Sequence, residues 1–231
     1  MATVPKQRET REIDYPTGDG KPMAETELHL LLMFDIVQML RDYLAGRPDA
    51  YVGGNLLLFY QKGNRRKHVA PDIFVSLGVA KEPPRDNYLV WEERKGPDLV
   101  IEITSKSTKR EDEKKKFLIY RDILKVTEYF RFDPTEDYLK PPLQGFRLAL
   151  GDYVPIEWVA GRLHSEVLDL HLERDGTKLR LFDPATGEYL LTRLEAREAA
   201  ERRAADAEAA QRRLAEENER LRREIEAIRG A

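Results

Sequence analysis

Apolar positions change period several times along the chain, and each change predicts an element. Leu28, Leu32, Ile36, Met39, Leu40 and Tyr43 recur at helical spacing, which predicts a helix over 24–45 stopped by Gly46 and Pro48. Two β-rich runs then flank Gln61-Lys62-Gly63-Asn64, the pattern of an antiparallel hairpin. NYLVWEE reads as a short strand. Lys95-Gly96-Pro97 leads into DLVIEITS, an apolar strand, followed by an amphipathic helix over roughly 108–123. TEYFRFDP is another strand, ended by Pro134. From 145 onward come the short strands GFRLALG, YVPIEWV, EVLDLHLERDG and KLRLFDP, separated by glycine and Asp-Gly turns.

Near 190 the pattern changes again. The remaining segment lacks proline, holds glycine only at its end and is dominated by Ala, Arg and Glu, which predicts one long helix. One heptad register puts Arg197, Ala204, Gln211, Asn218 and Ile225 at a, and Ala200, Ala207, Leu214, Leu221 and Ile228 at d. An Asn at an a position is a known device for fixing register. The expectation is a weak homotypic coiled coil, strongest at its C-terminal end; a solvated single helix laid on the domain is the alternative. The chain therefore divides into an arm (1–22), an α/β domain (23–188) and a C-terminal helix (189–231).

Composition narrows the chemistry. The chain has 231 residues, enough for one α/β domain with a real core. Charged residues are 35% of it yet the net charge is −3, so the bulk charge gives no sign of nonspecific nucleic-acid binding. With no cysteine, thiol catalysis and cysteine metal sites are excluded, and the four histidines show no HxxxH or HExxH spacing for zinc. The N-terminus lacks the apolar core of a signal peptide, and no stretch approaches the ~20 apolar residues of a membrane span. A cytoplasmic protein is expected.

Three features carry candidate chemistry. Asp72 follows Pro71 and opens the apolar segment Ile73-Phe74-Val75; alone, this is an ordinary aspartate at a strand start. Glu102 lies between Ile101 and Ile103, and strand alternation puts it on one face with Asp98, Val100 and Thr104. A carboxylate there is expensive unless paired or metal-bound; otherwise the strand is an edge with one wet face. Two carboxylates on adjacent strands can share a divalent cation, and oxygen ligands suit Mg²⁺ or Mn²⁺. After the strand, Thr108 with Glu111 makes a capping box. Asp112, Lys116 and Tyr120 then follow at i, i+4, i+8 along one helix face, where Asp112 and Lys116 can pair. Lys114 and Lys115 read as solvated.

Taken together, Pro71-Asp72, the run Pro97-Asp98-Leu99-Val100-Ile101-Glu102, Ser105, Ser107-Thr108, Asp112, Lys116, Tyr120, Glu128-Tyr129 and Asp133-Pro134 resemble the Uma-type "putative restriction endonuclease" family within the PD-(D/E)xK nuclease superfamily. The resemblance spans about 13–184. It implies a restriction-endonuclease-like α/β fold, with a central mixed sheet flanked by helices. It also implies a metal-dependent endonuclease acting on DNA. Asp72, Glu102 and Lys116 would be catalytic, and Asp72, Glu102 and the Ile103 carbonyl would hold Mg²⁺ or Mn²⁺. The superfamily's strand lysine is missing, since residue 104 is Thr104; the helix lysine Lys116 takes that role, with Lys106 the weaker candidate. Glu25, with Glu27 as runner-up, would assist the metal from the first helix. Asp112 and Tyr120 are accessory candidates. Lys106, Lys109, Arg110, Arg65, Arg66 and Lys67 would contact the DNA backbone, which positions rather than specifies. The C-terminal helix implies a homodimer. The alternatives are a non-catalytic nucleic-acid-binding or scaffold protein on the same fold, and a structural protein working mainly through its tail.

Overall fold

The structure, a computed structural model, describes residues 15–18, 26–104 and 111–229, excepting the side chains of 111–113. The chain forms two compact units, Met1–Leu190 and Leu191–Ala231.

The first unit is built on a six-stranded mixed sheet. Its strands are β1 (Ala50–Gly54), β4 (Ile73–Leu77), β6 (Leu99–Ile103), β7 (Glu128–Phe132), β8 (Leu143–Ala149) and β9 (Asp152–Pro155), in that spatial order. Only β6 and β7 run parallel; the other neighbours are antiparallel. The long connection between β6 and β7 carries a helix, as a parallel crossover requires. Two smaller sheets complete the unit. One joins β3 (His68–Val69), β2 (Leu58–Phe59) and β5 (Tyr88–Leu89); the other is antiparallel, from β10 (Trp158–Val159) through β11 (Arg162–Ser165), β12 (Leu170–Asp175) and β13 (Lys178–Asp183) to β14 (Glu188–Tyr189).

Strand alternation sorts the core into two layers. Ile73, Val75, Leu99, Ile101, Ile103, Phe130 and Phe132 face helix α1 (Glu27–Tyr43), through Leu32, Met33, Ile36, Met39 and Leu40, and the leucines of β11–β13. Phe74, Val100 and Tyr129 face the other way, onto Ile119, Tyr120 and Leu124. These belong to α3, made of the π-helical stretches Glu111–Lys116 and Ile119–Leu124. Strand β6 is buried on both faces at every residue, so it is not an edge with a wet side. That layering is what isolates Glu102 from solvent.

Two sequence expectations need correcting. NYLVWEE is strand only at β5; Val90–Glu93 is a helical turn, α2, entered directly from the strand. The short strands after 157 build a sheet of their own, packed over the α1 face. Glu128, fully buried, ties that second sheet to the central one: it accepts from the Ser165 hydroxyl at the end of β11 and from the Glu166 N–H at 2.9 Å, and, within the central sheet, from Arg147 Nη2 of β8 at 2.9 Å. The helix after β6 is π-helical, closed by Lys125 in the left-handed conformation and the Val126 N–H donating to the Tyr120 carbonyl at 2.9 Å. The Thr108 capping box lies outside the described residues.

The second unit is helix α4 (Arg193–Arg229), 37 residues with none buried. Among the described residues no helix is long and apolar enough to cross a membrane.

Candidate active site

Asp72 and Glu102 meet because of strand register. Phe74 pairs with Val100 and Ile73 with Ile101, so the next position sets Asp72 across from Glu102 on the α3 face. Strand β4 stops at Ile73, and the Asp72 side chain takes over its ladder bond: Oδ2 accepts from the Ile103 N–H at 2.8 Å. A strand residue's N–H and C=O leave the same edge, so the Ile103 carbonyl leaves on the Asp72 side too.

Helix α1 contributes the second contact to Asp72. Thr26 caps the helix, its Oγ1 accepting from the His29 N–H at 3.2 Å, and this fixes the first turn. His29 Nε2 then lies 3.4 Å from Asp72 Oδ1, both side chains 9% exposed. Burial raises the Asp72 pKa, but the His29 contact, the Lys116 charge and the Ile103 N–H outweigh it and hold the carboxyl below its usual range.

Helix α3 supplies the partners of Glu102. Lys116 Nζ sits 2.8 Å from Glu102 Oε2, and Tyr120 Oη donates to Oε1 at 2.5 Å. Glu102 is 1% exposed, so these contacts are what make its burial tolerable. Burial first, and the Glu102 charge second, push the Tyr120 hydroxyl well above its ordinary pKa, so it stays a donor. Residue 104, where the superfamily pattern wants lysine, is Thr104: buried, its N–H and Oγ1 both donating to the Phe132 carbonyl.

Of the residues singled out in the sequence, Asp72, Glu102, Lys116 and Tyr120 come together with the Ile103 backbone. Arg65, Arg66 and Lys67 are exposed on the β2–β3 turn. That hairpin leaves the sheet between Gly54 and Ile73, at the Asp72 end. Glu27 is exposed on the first turn of α1. Glu25, Lys106, Lys109 and Arg110 lie outside the described residues, as does the side chain of Asp112. Asp98 shares Glu102's face but serves structure at the far end of β6: it accepts from the Leu77 N–H at 2.6 Å and pairs with Lys95 at 2.8 Å.

Residues 4–175 match the Uma2 family, described as "Putative restriction endonuclease". The chain belongs to this family. No curated protein matches the sequence significantly. A solved structure described as a "putative nuclease belonging to DUF820", from Anabaena variabilis, is similar at 16% identity and a TM-score of 0.48, covering 64% of this chain and 79% of its own.

Two residues escaped the sequence reading of this Uma2 chain. For His29, the contact with Asp72 spans separate elements and leaves no local signal in the sequence. Arg131 is the direct β7 partner of Glu102. Its Nη2 donates to Gln144 Oε1 at 2.6 Å, its guanidinium lies 5.3 Å from the Phe146 ring, and its buried Nε has no hydrogen-bond partner among the described residues. Its only sequence signal was the alternation of EYFRF, which sets it on the face of Tyr129.

Proposed function

We propose that this chain is a divalent-metal-dependent endonuclease that hydrolyses DNA phosphodiester bonds in the cytoplasm. The observation that carries the reading is the buried Glu102 beside Asp72, held by Lys116 and Tyr120 of the following helix. Membership of the Uma2 family supports nuclease chemistry.

The donor set fits a hard cation. Asp72, Glu102 and the Ile103 carbonyl offer oxygen only, and a carboxylate oxygen already accepting one hydrogen bond keeps a second lone pair. These groups would hold Mg²⁺ or Mn²⁺, which supplies neutralisation of the phosphate charge and a more acidic bound water. His29 and the Ile103 N–H fix the Asp72 carboxylate. Tyr120 fixes that of Glu102. Lys116, anchored at Glu102, is the chain's own cation at the reaction centre, able to orient water and stabilise developing negative charge. Arg65, Arg66 and Lys67, with Lys106, Lys109 and Arg110, would hold the DNA backbone.

One observation favours a second reading. Both Glu102 oxygens are engaged by Lys116 and Tyr120, and among the described residues no three acidic or histidine side chains converge on one point. A non-catalytic DNA-binding or scaffold protein would keep this closed arrangement. The deciding experiment incubates the purified chain and its Glu102→Gln variant with single- and double-stranded DNA across Mg²⁺ and Mn²⁺ titrations. Cleavage that disappears with chelator and with Glu102→Gln supports the nuclease. Binding without cleavage supports the second reading.

A further inference from the structure

No residue of helix α4 is buried; over its last three heptads Leu214, Leu221, Ile225 and Ile228 are all solvent-accessible, while Leu194, at the start of the helix, is exposed off this seam. Three of the four are the d residues of consecutive heptads and Ile225 is at a, so they form one seam along the helix. We propose that α4 pairs with α4 of a second copy of this chain as a parallel, in-register, two-stranded coiled coil.

The identity of the occupant and its direction follow from what each alignment brings together. In a parallel in-register pair every layer matches itself. Leu214, Leu221, Ile225 and Ile228 each meet their own kind, and Asn218 meets Asn218 at one a position, where paired amides can bond to each other. The flanking charges also match. Each g residue faces the e residue five positions on, which gives Arg203 with Glu208, Glu217 with Arg222 and Glu224 with Arg229 of the second copy, with no like-charge pair at these flanking positions; the like-charge layer of the seam is Arg197 against Arg197, at its N-terminal end. Within the helix the ion pairs of this stretch go to Arg220 and Arg223, leaving Arg222 and Arg229 without one among the described residues.

Charge alone does not choose the direction. An antiparallel alignment can set Glu208 against Arg222 and Glu201 against Arg229. That same alignment pairs Leu221 with Ala204, Ile225 with Ala200 and Ile228 with Arg197, scattering the apolar residues over small and charged ones. Burial of apolar surface is the main force driving association, so the parallel pair wins. It joins two copies of the N-terminal unit to one end of the coil, independently of what that unit catalyses.

The chain has no cysteine, so introduced ones report cleanly. The test uses the full chain with Leu221→Cys under mild oxidation, Arg213→Cys on the outer face as control, and a mixture of Ala204→Cys with Leu221→Cys chains. Paired d positions lie within disulfide reach. Expected are a light-scattering mass of twice 26.8 kDa, complete crosslinking of Leu221→Cys with itself, and none of the control. A Leu221→Asp/Ile225→Asp double variant is expected to run at the monomer mass while its circular dichroism retains the β signal. A monomer mass for the unmodified chain overturns the proposal. So does crosslinking only in the mixture, which marks the antiparallel pair, or a mass of three or more chains.

Discussion

Lys116 Nζ lies 2.8 Å from Glu102 Oε2, and the glutamate it neutralises is 1% exposed while the lysine itself keeps a path to solvent. This asymmetry is what a working cation needs: its partner is fixed inside the sheet and its ammonium sits at the boundary. Removing the lysine leaves a buried carboxylate without its neutralising charge, held by the Tyr120 hydroxyl. Breaking a buried ion pair from one side costs about 3 kcal/mol. Lys116→Met is therefore expected to lower the urea-unfolding stability by about that amount, and to reduce DNA cleavage by roughly 10²-fold or more. Mn²⁺ binding should survive, because the carboxylates remain. Equal cleavage by Lys116→Met would move the lysine role elsewhere.

Tyr120→Phe separates positioning from charge. The ring keeps its packing against Tyr129, with centroids 5.2 Å apart, while the 2.5 Å bond to Glu102 is lost. A hydrogen bond to a charged group is worth about 1.5–3 kcal/mol, so a stability loss of that size should appear in denaturant titration. Cleavage should fall less than in Lys116→Met. If the two variants lose activity equally, the hydroxyl does more than hold the carboxylate.

What the sequence made legible follows from locality. Glu102 could be placed because alternation along one strand fixes its face, and Lys116 with Tyr120 because i, i+4 neighbours share a face in α- and π-helices alike. The π geometry itself has no comparable signal in KREDEKKKFLIYRDIL, which reads as ordinary amphipathic helix. The pairing of Asp72 with Glu102 was reachable only through the resemblance, since register between β4 and β6 is set by the long loop that joins them and by packing. His29 on Asp72 and Arg131 beside Glu102 join elements far apart in sequence, and no periodicity reports such contacts. The separate sheet of β10–β14 was hidden for a different reason: short alternating strands look the same whether they extend one sheet or found another.

Asp133 offers a pH test away from the site. It is fully buried, and burial is outweighed by N–H donations from Leu139 at 3.0 Å, Tyr138 at 2.9 Å and Thr135 at 3.2 Å, which hold its pKa below the usual range. A carboxyl depressed in the folded state adds stability that is present above the unfolded pKa of about 3.9 and is lost as pH falls through the folded value. Wild-type stability is expected to decline below pH ~4. Asp133→Asn should be about 1–3 kcal/mol less stable at neutral pH and show a shallower acid decline. Parallel pH curves for the two proteins would contradict the assignment.

Arg131 tests how far the site reaches along the sheet. It is the cross-strand partner of Glu102, braced by Gln144 and Phe146. Arg131 as a whole is only half-buried, and a guanidinium beside the candidate metal ligands suits a phosphate oxygen. Arg131→Met is expected to weaken DNA binding uniformly across sequences and to lower the slope of log affinity against log salt by about 1, measured by fluorescence anisotropy. An unchanged slope would leave Arg131 a purely structural residue of the β7–β8 pair.

The contact between His29 and Asp72 separates holding the carboxylate from being it. Asp72→Asn keeps an oxygen for the Ile103 N–H, so the sheet end should fold as before, but it removes the charge that binds a cation; Mn²⁺ affinity and cleavage are both expected to vanish. His29→Phe leaves Asp72 charged and removes only a group that orients it. Partners of metal ligands are worth about 10–100-fold in metal affinity, so a Mn²⁺ titration of His29→Phe should shift by that factor, with cleavage restored at saturating metal. If added metal fails to restore cleavage, His29 acts on the reaction itself. If the titration does not shift, the 3.4 Å contact is packing alone, and the Ile103 N–H suffices to set Asp72.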